Sequence, residues 1–290
     1  MLCLCVLVGM HLAFAGLRGP EIRDIAYGPG TSNRMDIYKP SGAGPFPVII
    51  YIHGGGWWNG DKRFISRDDL DYMLSKGVAV AAINYRNLVE ADRDRIFPPV
   101  LAPLEDTKAA YEYLVRNGAG VGIDGRRIAA YGGSAGGFNA LWLGLSLQKN
   151  QPAEGLRAIG GIDAQTTIDP FEMRDWVSPS INYGGHAFGL PEEDFSSFLA
   201  RRENFLGYIA ALSPSYLVGA GSPPTVLLYS EDLQHTQGDH MSLVHSPQFG
   251  SGFARAARKS GQEVTLLDGA SGNRERYTTF FDFLIAHVLN

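Results

Sequence analysis

A chain of 290 residues, 45% of them hydrophobic, is long enough for one large domain with a substantial apolar core. Its formal net charge of −5 argues against the basic surface that nucleic-acid-binding proteins use, so we expect no nucleic-acid partner. Both cysteines, Cys3 and Cys5, lie in the apolar N-terminus. The rest of the chain therefore has no disulfide, no cysteine nucleophile and no thiolate metal site.

The N-terminal segment, residues 1–20, is either a signal or another apolar element. Residues 2–14 are almost entirely apolar, and residues 13–16 resemble the small-residue cleavage site of a secretory signal, but no lysine or arginine precedes Arg18. A misassigned start, with Met10 as the true start, and an apolar helix packed on the domain remain alternatives. The segment is too short for a comfortable bilayer span, so we expect no stable membrane span. A signal would predict a secreted or periplasmic protein, and its absence a cytoplasmic one.

Apolar runs predict the first elements of the chain. Residues 34–38 alternate between apolar and polar side chains, which predicts an antiparallel strand with one exposed face. Residues 46–52 and 78–86 are nearly continuous apolar runs and predict strands buried on both faces. The other elements predicted in this part are a strand at 22–27 and helices at 68–76 and 99–117.

The same alternation of strands and helices continues to the end of the chain. Predicted strands lie at 128–131, 156–162, 223–230 and 263–267, and predicted helices at 138–147, 247–260 and 277–288. This order predicts an α/β fold, in which a mainly parallel sheet carries helices on both faces. We expect residues 21–290 to form one domain. The aromatic-rich residues 163–217 lack a clean strand pattern and form an insertion, either a lid or ordinary helical packing.

A nucleophile motif lies between the strand at 128–131 and the helix that follows it. Residues 132–136 read Gly-Gly-Ser-Ala-Gly and fit G-x-S-x-G, with Ser134 at the centre. A strand, tight turn and helix would hold the serine hydroxyl at a strained corner, where the residues two before and two after it must be small. The pattern predicts Ser134 as a nucleophile. The alternative is a glycine-rich turn with an incidental serine.

A second glycine-rich turn follows the buried strand at 46–52. Residues 53–56 read His-Gly-Gly-Gly, and such a turn can point successive backbone N–H groups at a developing oxyanion. The N–H of Ala135, directly after Ser134, would supply a further donor. A merely flexible turn is the alternative, but Trp57 and Trp58 indicate a loop that is packed in place.

These motifs in combination resemble the α/β-hydrolase esterases with an H-G-G-G motif, in particular the feruloyl/acetyl-esterase-like branch and its hormone-sensitive-lipase-like relatives. The resemblance covers about residues 25–290 and rests on the segments 53–57, 60–62, 83–86, 132–137 and Asp106 with residues 109–110. It implies the α/β-hydrolase fold with an eight-stranded core sheet, and ester hydrolysis without a cofactor.

The resemblance also implies roles for individual residues. Ser134 matches the nucleophile, Gly55, Gly56 and Ala135 match the oxyanion donors, and His53 matches a turn residue rather than the catalytic base. Asp232, just after the strand at 223–230, matches the catalytic acid. Asp239 is a weaker candidate for the acid, and a solvated loop carboxylate is the alternative for both.

The catalytic base is missing where the family has it. The family's histidine follows the last strand, where this chain has Ser271 and Gly272. Three possibilities stay open: an inactive variant of an esterase, a base relocated to the loop that carries His235, His240 and His245, or a binding protein that keeps the pocket. We name His240 as the candidate substitute base.

The remaining motifs argue against metals and cofactors. The spacing of the three loop histidines lacks a helical face that would direct them to one ion, so we expect no metal. No P-loop or dinucleotide-binding pattern occurs, so we expect no nucleotide cofactor. The sequence thus predicts a serine carboxylesterase that acts on short acyl or aryl esters, including feruloyl or acetyl esters, through an acyl-enzyme. The alternative is a non-catalytic protein of the same fold that binds a small ligand, and no pattern indicates an oligomeric state.

Overall fold

The computed structural model describes residues 21–150, 154–191, 194–233, 238–269 and 273–290. Within these residues one eight-stranded sheet has the order β1-β2-β4-β3-β5-β6-β7-β8. The strands are β1 Ile22–Ala26, β2 Arg34–Tyr38, β3 Phe46–Ile52, β4 Ala79–Ile83, β5 Ile123–Gly133, β6 Leu156–Ile162, β7 Thr225–Leu228 and β8 Val264–Leu267. Strand β2 is antiparallel to both of its neighbours. All other neighbouring strands, from β4 through β3 and β5 to β8, run parallel to one another. The predicted α/β-hydrolase fold with a mostly parallel eight-stranded sheet is confirmed.

Helices cover both faces of this sheet. They are α1 Arg67–Ser75, α2 Leu88–Arg93, α3 Leu101–Asn117, α4 Ala135–Asn150, α5 Pro170–Trp176, α6 Phe195–Ala200, α7 Arg202–Leu212, α8 Pro214–Leu217, α9 His240–Val244, α10 Gln248–Lys259 and α11 Asn273–Leu289. Helices α3 and α4 pack on one face, and α1 and α11 on the other. Because both faces are covered, β3 and β4 are almost completely buried, as their continuous apolar sequences predict.

The parallel strands β3, β5, β6 and β7 end at one edge of the sheet. Ser134 follows β5 directly, and the His53 turn follows β3. The described part of residues 163–217 contains helices α5 to α8 and no strand, in keeping with the lack of a strand pattern there. Its role as a lid stays a prediction.

One helix at this edge is not predicted from the sequence. The five-residue helix α9 begins after Asp239, whose carboxylate accepts a hydrogen bond from Ser242 N at 2.9 Å. A side-chain cap of this kind can start a short helix in a segment that lacks an apolar repeat. Among the described residues, no helix is long and apolar enough to cross a bilayer. Residues 1–20 lie outside the described residues.

Candidate active site

The turn between β5 and α4 is held by backbone packing that leaves no room for a side chain at Gly132 or Gly136. A Cβ on Gly132 would lie 2.3 Å from Ile52 O, and one on Gly136 only 2.1 Å from the same atom. Ser134 has φ of 51°, a left-handed conformation that is strained for a residue with a side chain, and its N–H donates to Ile162 O at 2.8 Å. The turn therefore fixes the serine at the carboxyl edge of the sheet.

The Ser134 hydroxyl meets an imidazole. His245 Nε2 lies 3.0 Å from Ser134 Oγ, and His245 Nδ1 lies 3.0 Å from Met241 O. A carbonyl oxygen can only accept, so Nδ1 carries the ring proton and Nε2 offers its lone pair to the serine hydroxyl. This is the hydrogen-bond arrangement of a nucleophile and its general base.

Buried side chains fix the segment that carries His245. The Gln165 side chain, fully buried beyond the end of β6, donates from Nε2 to Val244 O at 2.6 Å. Its neighbour Thr166 donates from Oγ1 to Phe249 O at 2.8 Å, near the start of α10. The residue before His245 and the helix after it are thus tied to the residues that follow the carboxyl end of β6.

The other loop histidines lie elsewhere. His240 donates from Nε2 to Asn182 O at 2.8 Å, so the structure directs its ring to the insertion and brings His245, rather than His240, to the Ser134 hydroxyl. His235 lies outside the described residues. A base in this loop stays a prediction, and the capping pattern of Asp239 and Ser242 is the signal that could have placed His245 at the end of a short helix.

The two candidate acids occupy different positions. Asp239 caps α9 through Ser242, so its carboxylate is engaged in local structure. Asp232 is exposed and lies beside Gly269 at the end of β8, since a Cβ on Gly269 would be 2.6 Å from Asp232 N. The positions that match the family's histidine, Ser271 and Gly272, follow Gly269 closely in the chain but lie outside the described residues.

The His-Gly-Gly-Gly turn is locked to α4 and to the sheet. Gly55 and Gly56 have φ of 109° and 60°, and a Cβ on Gly55 would lie 2.2 Å from Asn59 O. The buried Trp57 donates from Nε1 to Asn139 Oδ1 on α4 at 2.8 Å. Within the described residues, no acceptor takes a hydrogen bond from the N–H of Gly55 or of Gly56. These two donors, and that of Ala135 at the first position of α4, are therefore available at this edge.

The first residue of this turn has a structural role. His53 stacks on Tyr85 with ring centroids 4.2 Å apart, and its Nδ1 donates to Gly54 O at 2.9 Å. The Tyr85 hydroxyl in turn donates to His53 O at 2.8 Å. Arg86 and Asp106 brace this strand end through a bidentate ion pair with Nη2–Oδ1 at 2.7 Å and Nε–Oδ2 at 3.0 Å. The residues that carry the family resemblance thus build one support for the glycine turn.

A second buried imidazole, not singled out from the sequence, packs against the same turn. The ring centroid of His186 lies 5.5 Å from that of Trp57, 6.2 Å from that of Trp58 and 4.8 Å from that of Tyr183. Neither ring nitrogen of His186 has a hydrogen-bond partner among the described residues. Burial lowers the pKa of His186 to about 4, so this ring is neutral near pH 7.

A cleft of about 400 Å³, which we call the serine cleft, opens at Ser134. Its lining residues are Tyr51, Gly54, Phe64, Ser66, Asp69, Tyr131, Gly133, Ser134, Ile162, Asp163, His245 and Tyr277. Asp163 accepts hydrogen bonds from Ser230 N at 2.7 Å and Ser230 Oγ at 2.6 Å, which ties the ends of β6 and β7 together. Among the described residues, no group of three or more metal-ligating side chains could hold an ion.

Comparison with known proteins finds a family model and several esterases that are similar to this chain. The BD-FAE family model matches residues 35–242. Versiconal hemiacetal acetate esterase from Dothistroma septosporum is 32% identical over 213 residues, which cover 72% of this chain and 59% of that protein. Esterase LipI from Mycobacterium tuberculosis is 33% identical over 231 residues, which cover 71% of this chain and 66% of that protein. The chain thus spans less than two thirds of either relative.

Solved structures share the fold at lower identity. A truncated form of carbohydrate esterase from gut microbiota has a TM-score of 0.69 at 18% identity, covering 93% of this chain and 96% of that chain. Thermogutta terrifontis esterase 2 phosphonylated by sarin has a TM-score of 0.65 at 21% identity, covering 93% and 95%. These structures share the fold, and the family model over residues 35–242 confirms the family resemblance drawn from the motifs.

Proposed function

Because this chain belongs to the BD-FAE family of α/β-hydrolases, we propose that it is a serine carboxylesterase whose base is His245. The observation that carries the proposal is the 3.0 Å contact between His245 Nε2 and Ser134 Oγ. It supports a relocated base over an inactive variant and over a binding protein, because neither of those needs an imidazole aimed at the serine hydroxyl.

The proposed reaction begins with attack of Ser134 Oγ on the ester carbonyl carbon. His245 Nε2 takes the serine proton as the new C–O bond forms, and the carbonyl oxygen becomes an oxyanion. The N–H groups of Gly55, Gly56 and Ala135 stabilise that negative charge. His245 then protonates the leaving alcohol as its bond to carbon breaks, which leaves the acyl group on Ser134. Water, activated by the same imidazole, releases the acid and restores the serine.

The group that orients the base differs from the usual carboxylate in this proposal. The Met241 carbonyl accepts the Nδ1 proton and keeps His245 in the tautomer that can remove the serine proton. A backbone carbonyl is a dipole rather than a full charge, so it stabilises the imidazolium less than a carboxylate would. Asp232, the acid matched from the sequence, has no assigned step in this proposal.

The substrate class follows from size and from the relatives. A cleft of about 400 Å³ lies near the small end of ligand sites, which favours a short acyl group or a single aromatic ring. The name of the Dothistroma relative describes an acetate ester, and one Thermogutta structure is described as butyrate-bound. We therefore propose short acyl or aryl esters, including acetyl and feruloyl esters, as substrates.

Burst kinetics with p-nitrophenyl acetate test the proposal. We expect one equivalent of p-nitrophenol per protein, and an organophosphonate adduct that peptide mass spectrometry assigns to Ser134. Ser134→Ala should lose both signals with an unchanged melting temperature. No burst and no adduct from folded wild-type protein would contradict the proposal and favour a binding protein, whose ligand affinity Ser134→Ala should leave unchanged.

A further inference from the structure

An exposed aromatic side chain that the proposed mechanism does not use lines the serine cleft. Phe64 is 68% exposed, and among the exposed large apolar side chains that the structure describes it is the one that lines this cleft. Single exposed apolar side chains are normal on a protein surface. The position of Phe64 sets it apart from the others, because a molecule that enters the serine cleft meets its ring.

The backbone on the N-terminal side of Phe64 is anchored to the sheet. Phe64 ends a short 3-10 turn that begins at Lys62, and its N–H donates to Asp61 O at 2.9 Å. Lys62 is only 7% exposed, and its Nζ lies 2.9 Å from a carboxylate oxygen of Asp24 in β1 and 2.9 Å from one of Asp36 in β2. These two ion pairs hold the turn against the antiparallel edge of the sheet.

The backbone on the C-terminal side of Phe64 is anchored by helix α1. Ser66 is the N-cap of this helix, and its hydroxyl accepts a hydrogen bond from Asp69 N at 3.4 Å. Anchored residues thus lie on both sides of Phe64, so its backbone position is fixed while its ring stays exposed. A ring on a fixed backbone loses little conformational freedom when a ligand covers it, which lowers the entropic cost of binding.

The other walls of the serine cleft suit a flat ligand. Tyr51 and Tyr277 are half-buried and line the same cleft as Phe64. The ring centroid of Tyr51 lies 5.5 Å from that of Tyr131, which packs beneath it in the core. Aromatic rings in contact favour offset-stacked or edge-to-face arrangements, and these contribute free energy beyond the area that they bury. A cleft of about 400 Å³ with such walls accommodates one planar ring beside Ser134.

We propose that Phe64 is a specificity-determining residue that packs against an aromatic ring of the ester bound at Ser134. The proposal rests on the esterase function proposed above, and it narrows the substrate class to esters that carry one aromatic ring. A saturated ring of the same size would cover a similar apolar area of Phe64 but could not form the aromatic contact. Phe64 therefore favours an aromatic ring over a saturated one.

Binding to Ser134→Ala protein tests this preference without turnover. Phenyl acetate and cyclohexyl acetate would be titrated by calorimetry, and because this variant lacks the nucleophile, the better leaving group of phenyl acetate does not affect the result. We expect phenyl acetate to bind about 5-fold more tightly. An added Phe64→Leu substitution should reduce the preference to less than about twofold with an unchanged melting temperature, whereas Phe64→Tyr, which keeps the ring, should retain it.

The matched control is Phe171→Leu, which replaces a phenylalanine that is 53% exposed on α5 outside the serine cleft and should leave the preference intact. Equal affinities for the two esters, a preference that survives Phe64→Leu, or no measurable binding of phenyl acetate would overturn the proposal. These titrations need no turnover, so their failure leaves the esterase proposal standing. Absence of the p-nitrophenyl acetate burst, in contrast, would contradict the esterase function and leave the measured ring preference unchanged.

Discussion

Ser134 and His245 reach the same hydrogen bond from two regions that are held in different ways. The serine turn follows β5, which pairs with β3 and β6. Gly132 and Gly136 lie so close to Ile52 O that no side chain fits at either position, which restricts the backbone conformation of the turn. His245 follows a five-residue helix whose first residues are exposed, and side-chain hydrogen bonds such as that of Gln165 hold it in place. Ser134 is therefore fixed by local backbone geometry, and His245 by tertiary contacts.

This difference in how the two residues are held explains how a catalytic base could be supplied by a different loop in related proteins. A nucleophile that depends on a strand, a turn and a helix cannot move without rebuilding the centre of the sheet. A base needs only to present one ring nitrogen at about 3 Å from the hydroxyl. Any loop that leaves the same sheet edge can supply it, and in the proposed mechanism the segment between β7 and α10 does so.

The largest expected effect comes from removing the base. His245→Ala should lower kcat by roughly 10³- to 10⁴-fold, because the serine loses the group that accepts its proton. His240→Ala, which removes a contact to Asn182 rather than to Ser134, should cost less than about 10-fold. Steady-state kinetics with p-nitrophenyl acetate measure both.

The variant Ser271→His, which restores a histidine at the position where the family has it, distinguishes a relocated base from a lost one. If His245 is the base, Ser271→His should leave kcat near the wild-type value. A strong rise of kcat in Ser271→His, together with little effect of His245→Ala, would show that the original position is the one that matters.

A substitution in the serine turn should lower the stability of the folded protein rather than change a catalytic group. The Cβ of Gly136→Ala would lie 2.1 Å from Ile52 O, so we expect a loss of roughly 4 kcal/mol in the free energy of unfolding. Gly207→Ala on α7, where a Cβ meets no atom within 4 Å, is the control and should stabilise the protein by about 0.5–1 kcal/mol. Urea unfolding followed by circular dichroism measures both, and a well-folded Gly136→Ala protein would contradict the steric argument.

The free energy of unfolding should depend on pH through His186, which packs against the glycine turn. The pKa of this buried imidazole is about 4, below its unfolded value near 6.5, so the unfolded chain binds the extra proton first. Stability is lost as the pH falls from about 6.5 to 4, by up to about 3 kcal/mol.

The test of this pH dependence compares wild type with His186→Phe. The phenylalanine keeps an aromatic ring against Trp57 but cannot titrate, so the variant should lose less stability between pH 7 and pH 4. Unfolding free energies at both pH values decide the matter, and parallel losses in the two proteins would show that His186 is not the titrating group.

The smallest expected effect comes from removing the hydrogen bond that holds the residue next to His245. Gln165→Met keeps the length of the side chain but removes the donor to Val244 O, so we expect kcat to fall about 10-fold with KM nearly unchanged. The control Gln248→Met removes a bond of the same kind to Leu233 O, which is not adjacent to the base, and should change kcat by less than about twofold. Equal losses of kcat in the two variants would show that Gln165 does not position His245.

The sheet is predictable from the sequence because the strands have strong local patterns. The continuous apolar runs of β3 and β4 can only be buried on both faces, and the small residues around Ser134 are needed wherever a backbone turns this sharply. Boundaries shift by a few residues; for example, α4 begins at Ala135 rather than at 138, because the helix starts directly at the serine turn. The short helix α9 is not predicted from the sequence, because a single carboxylate cap is a weaker signal than an apolar repeat.

By itself, the sequence determined the α/β-hydrolase fold, the strained position of Ser134 and the glycine turn beside it. Each of these depends on residues that are close together in the chain, so a short motif records it. Only the tertiary structure decided which histidine meets Ser134, because 111 residues separate the two partners. The position of His245 depends on Gln165 and on the packing of α10, and contacts across such distances leave no pattern in a single sequence.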